Sequence, residues 1–80
     1  MNFKWQDFIA RDPIICGGLP TLMGTRILLR QVLADVATGA TAPEIIDAYP
    51  SLKPEHVRAA IAFAAHSAKE DLPVLDQPAA

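Results

Sequence analysis

Two histidines and a single cysteine are the side chains of this chain best suited to catalysis or metal binding. His56 and His66 lie ten residues apart, whereas two metal ligands on one face of a helix usually have i, i+4 spacing. Cys16 could act as a nucleophile with a base and a group that orients the base, and the sequence marks neither. We therefore expect no metal, no cofactor, no small-molecule substrate and no enzymatic activity.

The segment 12–26 holds three glycines and two prolines, a composition that a ligand-binding loop could have. A phosphate loop would need Lys followed by Ser or Thr, or the G-x-G-x-x-G spacing, and the segment has neither. Glycine permits backbone angles that other residues resist, and proline fixes φ. We therefore assign structural roles in tight turns to Gly17, Gly18, Gly24 and Thr25.

Arg26 follows the last of these glycines and permits two interpretations. Its guanidinium could contact an anion or a partner, or its five donors could tie together parts of its own fold. Asp12 is a suitable acceptor for such a tie. We favour the structural interpretation for both residues.

Lys53, His56 and Arg58 form a local basic patch at the start of the third predicted helix. The free N–H groups at a helix N-terminus favour anions, so this patch could contact DNA phosphates. Three ordinary surface side chains explain the pattern equally well. The net charge of −2 is not the basic balance typical of strong nucleic-acid binding.

From the composition we expect a small cytoplasmic protein that buries part of its apolar surface against a partner. A chain of 80 residues buries a limited share of its surface, yet 51% of its residues are hydrophobic, which favours burial against a second copy or another protein. One cysteine cannot form an internal disulfide. The sequence has neither the apolar core of a signal peptide nor an apolar run of membrane-spanning length.

Hydrophobic periodicity predicts three helices, and short apolar pieces beside a glycine pair predict a β-hairpin. We expect one domain over residues 1–70, with the hairpin in 8–28, helices at about 27–38, 42–49 and 54–69, and a flexible tail over 71–80. Within the hairpin, Ile14-Ile15 and Thr21-Leu22 are expected to flank the turn at Gly17-Gly18.

Signals at the helix ends support these bounds. Gly39 is a suitable stop for the first helix. Thr41 and Glu44 have the spacing of a capping box at the start of the second. Pro50 restricts Tyr49 and ends that helix, so we assign structural roles to both residues.

The third predicted helix carries a second apolar stripe beside its inward one. A helix that is apolar on both sides is usually covered on both sides, although alanines also occur on exposed faces as good helix formers. We therefore predict a dimer or partner interface at Ala59, Phe63 and His66. We also expect the tail to extend onto a partner through Leu72, Val74 and Leu75.

The short Pro-containing turn between the last two helices is typical of a helix-turn-helix. In that motif, the N-terminal part of the last helix meets base edges. The residues at these positions, Glu55, His56, Ala59 and Ala62, are a poor set for reading bases.

The chain resembles the bacterial domain-of-unknown-function 433 family over roughly residues 9–66. The matching residues are Asp12-Pro13, Gly17-Gly18 with Pro20, Gly24-Thr25-Arg26, Gly39, Glu44-Ile45-Ile46, Tyr49-Pro50 with Leu52, and Ala60 with Phe63. Their order and spacing carry the resemblance, and Gly-Thr-Arg is its strongest element. Lys53 and His56 depart from the family pattern, which often has Thr or Ser and an acid at these positions, and we expect both changes to remove a helix cap.

The resemblance implies a mainly α fold, a three-helix homeodomain-like helix-turn-helix bundle with a short N-terminal β-hairpin, often as a dimer. Its members are regarded as predicted antitoxins of type II toxin–antitoxin pairs. This implies a non-catalytic protein that binds and neutralises a toxin, a PIN-like ribonuclease made by a neighbouring gene. Antitoxins of this kind commonly bind their own promoter, so operator DNA is a second implied partner. A DNA-binding regulator without a toxin is the alternative function.

Overall fold

In the computed structural model, which describes residues 3–71, three helices pack around one apolar core. The helices are α1 (Leu29–Ala37), α2 (Ala42–Ala48) and α3 (Pro54–Asp71), and each begins and ends within two residues of the expected bounds. The core side chains are Leu22, Leu29, Val32, Ile45, Leu52, Val57 and Ala60. The mainly helical fold with an N-terminal hairpin is confirmed.

The hairpin pairs different residues from those that the sequence indicates. Strands β1 (Ile9–Ala10) and β2 (Thr21–Leu22) are antiparallel, with Ile9 opposite Leu22. The expectation that Ile14-Ile15 is the first strand is wrong, because the Ile15 carbonyl accepts a hydrogen bond from the Gly18 N–H at 3.1 Å in a local 3₁₀ turn. Ile14 is 87% exposed.

A tight turn after β2 connects the hairpin to α1. Gly24 has φ of +82°, and the Thr25 N–H donates to the Leu22 carbonyl at 3.0 Å. The Thr25 hydroxyl donates to the same carbonyl at 2.8 Å and accepts from the Ile27 N–H at 3.1 Å. The first N–H of α1, at Leu29, then donates to the Pro20 carbonyl at 2.9 Å. The backbone of the hairpin therefore takes the place of a side-chain cap for α1.

The expected signals at the end of α1 and the start of α2 are confirmed. Gly39, with φ of +98°, donates its N–H to Val36 at 3.0 Å, and the Ala40 N–H donates to Asp35 at 3.1 Å, as in a Schellman motif. Thr41 is the N-cap of α2 and forms a full capping box, in which the Glu44 side chain accepts from the Thr41 N–H at 2.8 Å.

Tyr49 ties the end of α2 to α1. Its hydroxyl accepts a hydrogen bond from the Gln31 side chain at 2.9 Å. Its carbonyl accepts from the Leu52 N–H at 2.9 Å, which closes a turn with Pro50 as second residue. This turn delivers the chain to α3.

Candidate functional site

An aromatic segment, residues 3–8, covers one side of α3. Trp5 lies edge-on to Phe63, with ring centroids 5.7 Å apart, and its ring centroid is 5.6 Å from that of His66. Trp5–Phe8 forms a short 3₁₀ turn that packs along α3. The second apolar stripe of α3 therefore lies against the chain's own N-terminal residues.

The other aromatic side chains of this segment contact residues at the start of α3. Phe3 and Phe8 stack with centroids 5.4 Å apart and planes inclined by 16°. The Arg58 guanidinium lies 4.1 Å from the centre of the Phe3 ring, in cation–π geometry. The Phe8 ring meets His56 edge-on at 5.8 Å.

The aromatic segment covers part of the surface that the sequence predicts to be an interface. Ala59 is fully buried inside the chain, so its side chain does not lie on a surface that a partner could reach. Phe63 is half-buried and His66 is exposed, and both contact Trp5. Leu72, Val74 and Leu75 lie outside the described residues, as does most of the tail. The premise that α3 needs a second chain to cover its stripe is thus corrected.

His56 is buried and joins the start of α3 to the hairpin turn. Its Nδ1 accepts a hydrogen bond from the Lys53 N–H at 3.0 Å. Its Nε2 donates to the Met23 carbonyl at 3.0 Å, because a carbonyl oxygen can only accept. The residue is 7% exposed. Both interpretations of His56, as a phosphate contact and as an ordinary surface side chain, are therefore corrected.

The expectation that His56 removes a helix cap is also wrong. His56 is the third residue of α3, the position from which a capping-box side chain reaches back to the N-terminal flanking N–H. Imidazole Nδ1 supplies the acceptor that a carboxylate would supply. Lys53 and Arg58 remain exposed on either side of this buried ring.

The expected tie between Arg26 and Asp12 is replaced by other contacts. The Asp12 carboxylate accepts from the Ile14 N–H at 2.9 Å, as in an Asx turn. Arg26 is exposed, and its carbonyl accepts from the Cys16 thiol at 3.4 Å. Arg11 makes the structural contact instead, since its Nε donates to the Gly18 carbonyl at 2.9 Å.

An open apolar cleft of about 140 Å³ lies between the hairpin, α1 and α3. Its lining is aliphatic and aromatic apart from one arginine, and the residues are Leu19, Pro20, Leu28, Leu29, Arg30, Leu33 and Phe63. Leu19 is 39% exposed and Arg30 is exposed. A concave apolar surface with a few polar groups is typical of a binding site.

The capping box of α2 holds the one described carboxyl group with a clear shift. Hydrogen bonds from the Thr41 backbone and side chain lower the pKa of Glu44 below its ordinary value of 4.5, because they favour the ionised form. Glu44 does not line the cleft, so this contact stabilises the fold and is not part of the candidate site.

Within residues 3–71, no group of three or more His, Cys, Asp or Glu side chains could hold a metal ion. None of the helices in this range is both long enough and apolar enough to cross a membrane.

The sequence interpretation missed both the aromatic segment and the cleft. Phe3, Trp5 and Phe8 are three aromatic residues within six positions, and they needed burial that a short polar segment could not provide by itself. That signal could have pointed to α3. The cleft has no local signal, because Leu19 and Phe63 lie 44 positions apart in the sequence.

The arrangement of a short hairpin on three helices defines a known class of small domain. The chain belongs to the DUF433 family, described as proteins of unknown function, whose pattern matches residues 9–64. A crystal structure of a DUF433 member from Anabaena variabilis is similar, with a TM-score of 0.69 and 29% sequence identity over 81% of this chain and 64% of that one.

A curated relative carries the same region in a longer chain. The uncharacterized protein y4eO of Sinorhizobium fredii is 36% identical over 59 residues, which are 74% of this chain. The matched region is 27% of that relative, so this chain spans about a quarter of its length.

Proposed function

We propose that this chain is a non-catalytic antitoxin-like protein that binds and neutralises a partner toxin, a PIN-like ribonuclease. The observation that carries the proposal is the apolar cleft, because an apolar concavity beside an exposed arginine fits an apolar side chain followed by an acidic one. The resemblance to predicted antitoxins names the partner class.

Arg30 gives the cleft a polarity that suits such a toxin. A PIN-like ribonuclease has an acidic metal site, and a guanidinium binds carboxylates through paired hydrogen bonds. With a toxin side chain in the cleft, Arg30 would be available to pair with a neighbouring carboxylate of the toxin. Leu72, Val74 and Leu75 stay a predicted second contact with the toxin.

Co-expression tests this function. The gene for a neighbouring PIN-like ribonuclease is expressed with the full chain, with Leu19→Asp or with Ile14→Asp. The parent and Ile14→Asp are expected to restore growth and to co-purify with the toxin, whereas Leu19→Asp is expected to do neither. Failure of the parent to rescue growth would overturn the proposal.

A DNA-binding regulator is the second candidate, and the exposed Lys53 and Arg58 at the start of α3 favour it. If these two cations contact phosphates, the logarithm of the binding constant should fall with the logarithm of the salt concentration with a slope of roughly −2. Fluorescence anisotropy on the chain's own upstream DNA should then show weaker binding for Lys53→Ala. Binding that is absent at low salt, or that ignores salt, would contradict it.

We also propose a homodimer, for which the exposed Ile61 on α3, at 47% exposure, offers an apolar contact. Light scattering at tens of micromolar protein tests it. A mass of one chain would contradict the dimer, and Ile61→Asp should convert a two-chain mass into a one-chain mass.

A further inference from the structure

We propose that the tail, residues 72–76, docks into the apolar cleft of its own chain, so that a protein partner must displace it. The inference deepens the proposed function, since it names a regulation of the same cleft. Three observations carry it: the composition of the cleft, the length of chain that follows α3, and charge.

The first observation is chemical fit. The tail begins Leu72-Pro73-Val74-Leu75-Asp76 and therefore brings aliphatic side chains followed directly by a carboxylate. The cleft offers an apolar lining and Arg30. Its volume of about 140 Å³ is close to the ~150 Å³ of an apolar cavity that accepts benzene, so it has room for an aliphatic side chain.

The second observation is reach. Phe63 lines the cleft and lies eight residues before Asp71, the end of α3, which is a distance of about 12 Å along the helix. A proline inside a helix removes a hydrogen bond and clashes with the preceding turn, so Pro73 favours a change of chain direction soon after Asp71. The four residues from Asp71 to Leu75 can span up to about 14 Å when extended, so Leu75 can return to the level of Phe63.

The third observation is charge complementarity. With Leu75 in the cleft, Asp76 would be next to Arg30, the cation that lines it. An ion pair at an exposed rim adds little affinity and serves mainly to fix the register of the docked segment.

Disulfide trapping in the isolated full chain tests the docking. In a Cys16→Ser background, Leu19→Cys in the cleft is combined with Leu75→Cys in the tail. The control combines Leu75→Cys with Ile14→Cys, because Ile14 lies in the same loop but does not line the cleft. Under mild oxidation, we expect the Leu19 pair to close within one chain about tenfold faster than the control, because docking raises the local thiol concentration.

Equal closing rates would overturn the proposal, as would a disulfide between two chains, which would put the tail in the cleft of a second copy. A second measurement leaves the cleft intact. In methyl NMR spectra, Val74→Asp with Leu75→Asp should shift the signals of Leu19, Leu28 and Leu33, whereas Gln77→Asp should leave them in place. Unchanged cleft signals would contradict docking. No toxin is present in either experiment, so docking can fail while toxin binding stands.

Discussion

The Nδ1 atom of His56 accepts a hydrogen bond from the Lys53 N–H at 3.0 Å, so an imidazole closes the first turn of α3. The other ring nitrogen reaches the Met23 carbonyl at 3.0 Å, in the turn that follows β2. One buried side chain therefore joins the start of the last helix to the hairpin. In this fold, the residue that looked like part of a phosphate-binding patch is a structural link.

His56→Ala is expected to lower the free energy of unfolding by about 2 kcal/mol, because it removes a buried side chain and its two part-buried hydrogen bonds to the Lys53 N–H and the Met23 carbonyl. Chemical denaturation measures the change. His66→Ala is the matched control on the same helix, and we expect it to cost less than about 1 kcal/mol, since the His66 side chain is exposed. Equal losses for the two variants would contradict the linking role of His56.

Trp5→Ala tests the aromatic cover of α3. Loss of the ring contacts with Phe63 and His66 should destabilise the fold by about 2 kcal/mol. It should also expose Phe63, so that the protein associates and its mass measured by light scattering rises at high protein concentration. Trp5→Phe keeps an aromatic ring there and should retain part of the stability. An unchanged free energy of unfolding for Trp5→Ala would show that the segment does not cover α3 in solution.

The capping box predicts a specific acid dependence of stability. Because hydrogen bonds from Thr41 hold the folded-state pKa of Glu44 below 4.5, its contribution is complete above that value and is lost as the pH falls through the lowered pKa. Glu44→Gln should therefore lie below the parent in stability at neutral pH and approach it in acid. Urea denaturation across this range measures the difference.

Thr41→Val is the matched control for this prediction, because it removes the hydroxyl and keeps the shape of the side chain. Combining it with Glu44→Gln should cost less than the sum of the two single changes, since the two residues share one motif. Strict additivity, or a difference between parent and Glu44→Gln that stays constant into acid, would contradict the assigned pKa shift.

The parts of the fold that the sequence predicts are those set by residues close together in the chain. The capping box spans Thr41 to Glu44, and the Schellman motif spans Asp35 to Ala40. Each depends on a few side chains or on one glycine with positive φ, so local rules suffice.

The parts that the sequence does not predict depend on contacts between distant residues. Trp5 contacts Phe63, which lies 58 positions further along the chain. Strands β1 and β2 pair across a loop in which Gly17-Gly18 belongs to a separate 3₁₀ turn and not to the turn of the hairpin. An imidazole at a position that usually carries an acid indicates a lost cap in the sequence, because the Nδ1 acceptor of His56 becomes evident only together with its partner, the Lys53 N–H.

The affinity of the purified toxin for cleft variants tests the central claim, that this cleft binds the toxin. Titration calorimetry with a PIN-like ribonuclease should give an affinity at least about tenfold weaker for Leu19→Asp than for the parent, because burying a carboxylate in place of an apolar side chain costs more than about 1.4 kcal/mol. Arg30→Glu should also weaken binding, and Ile14→Asp should match the parent. Equal affinities for Leu19→Asp and Ile14→Asp would contradict the claim.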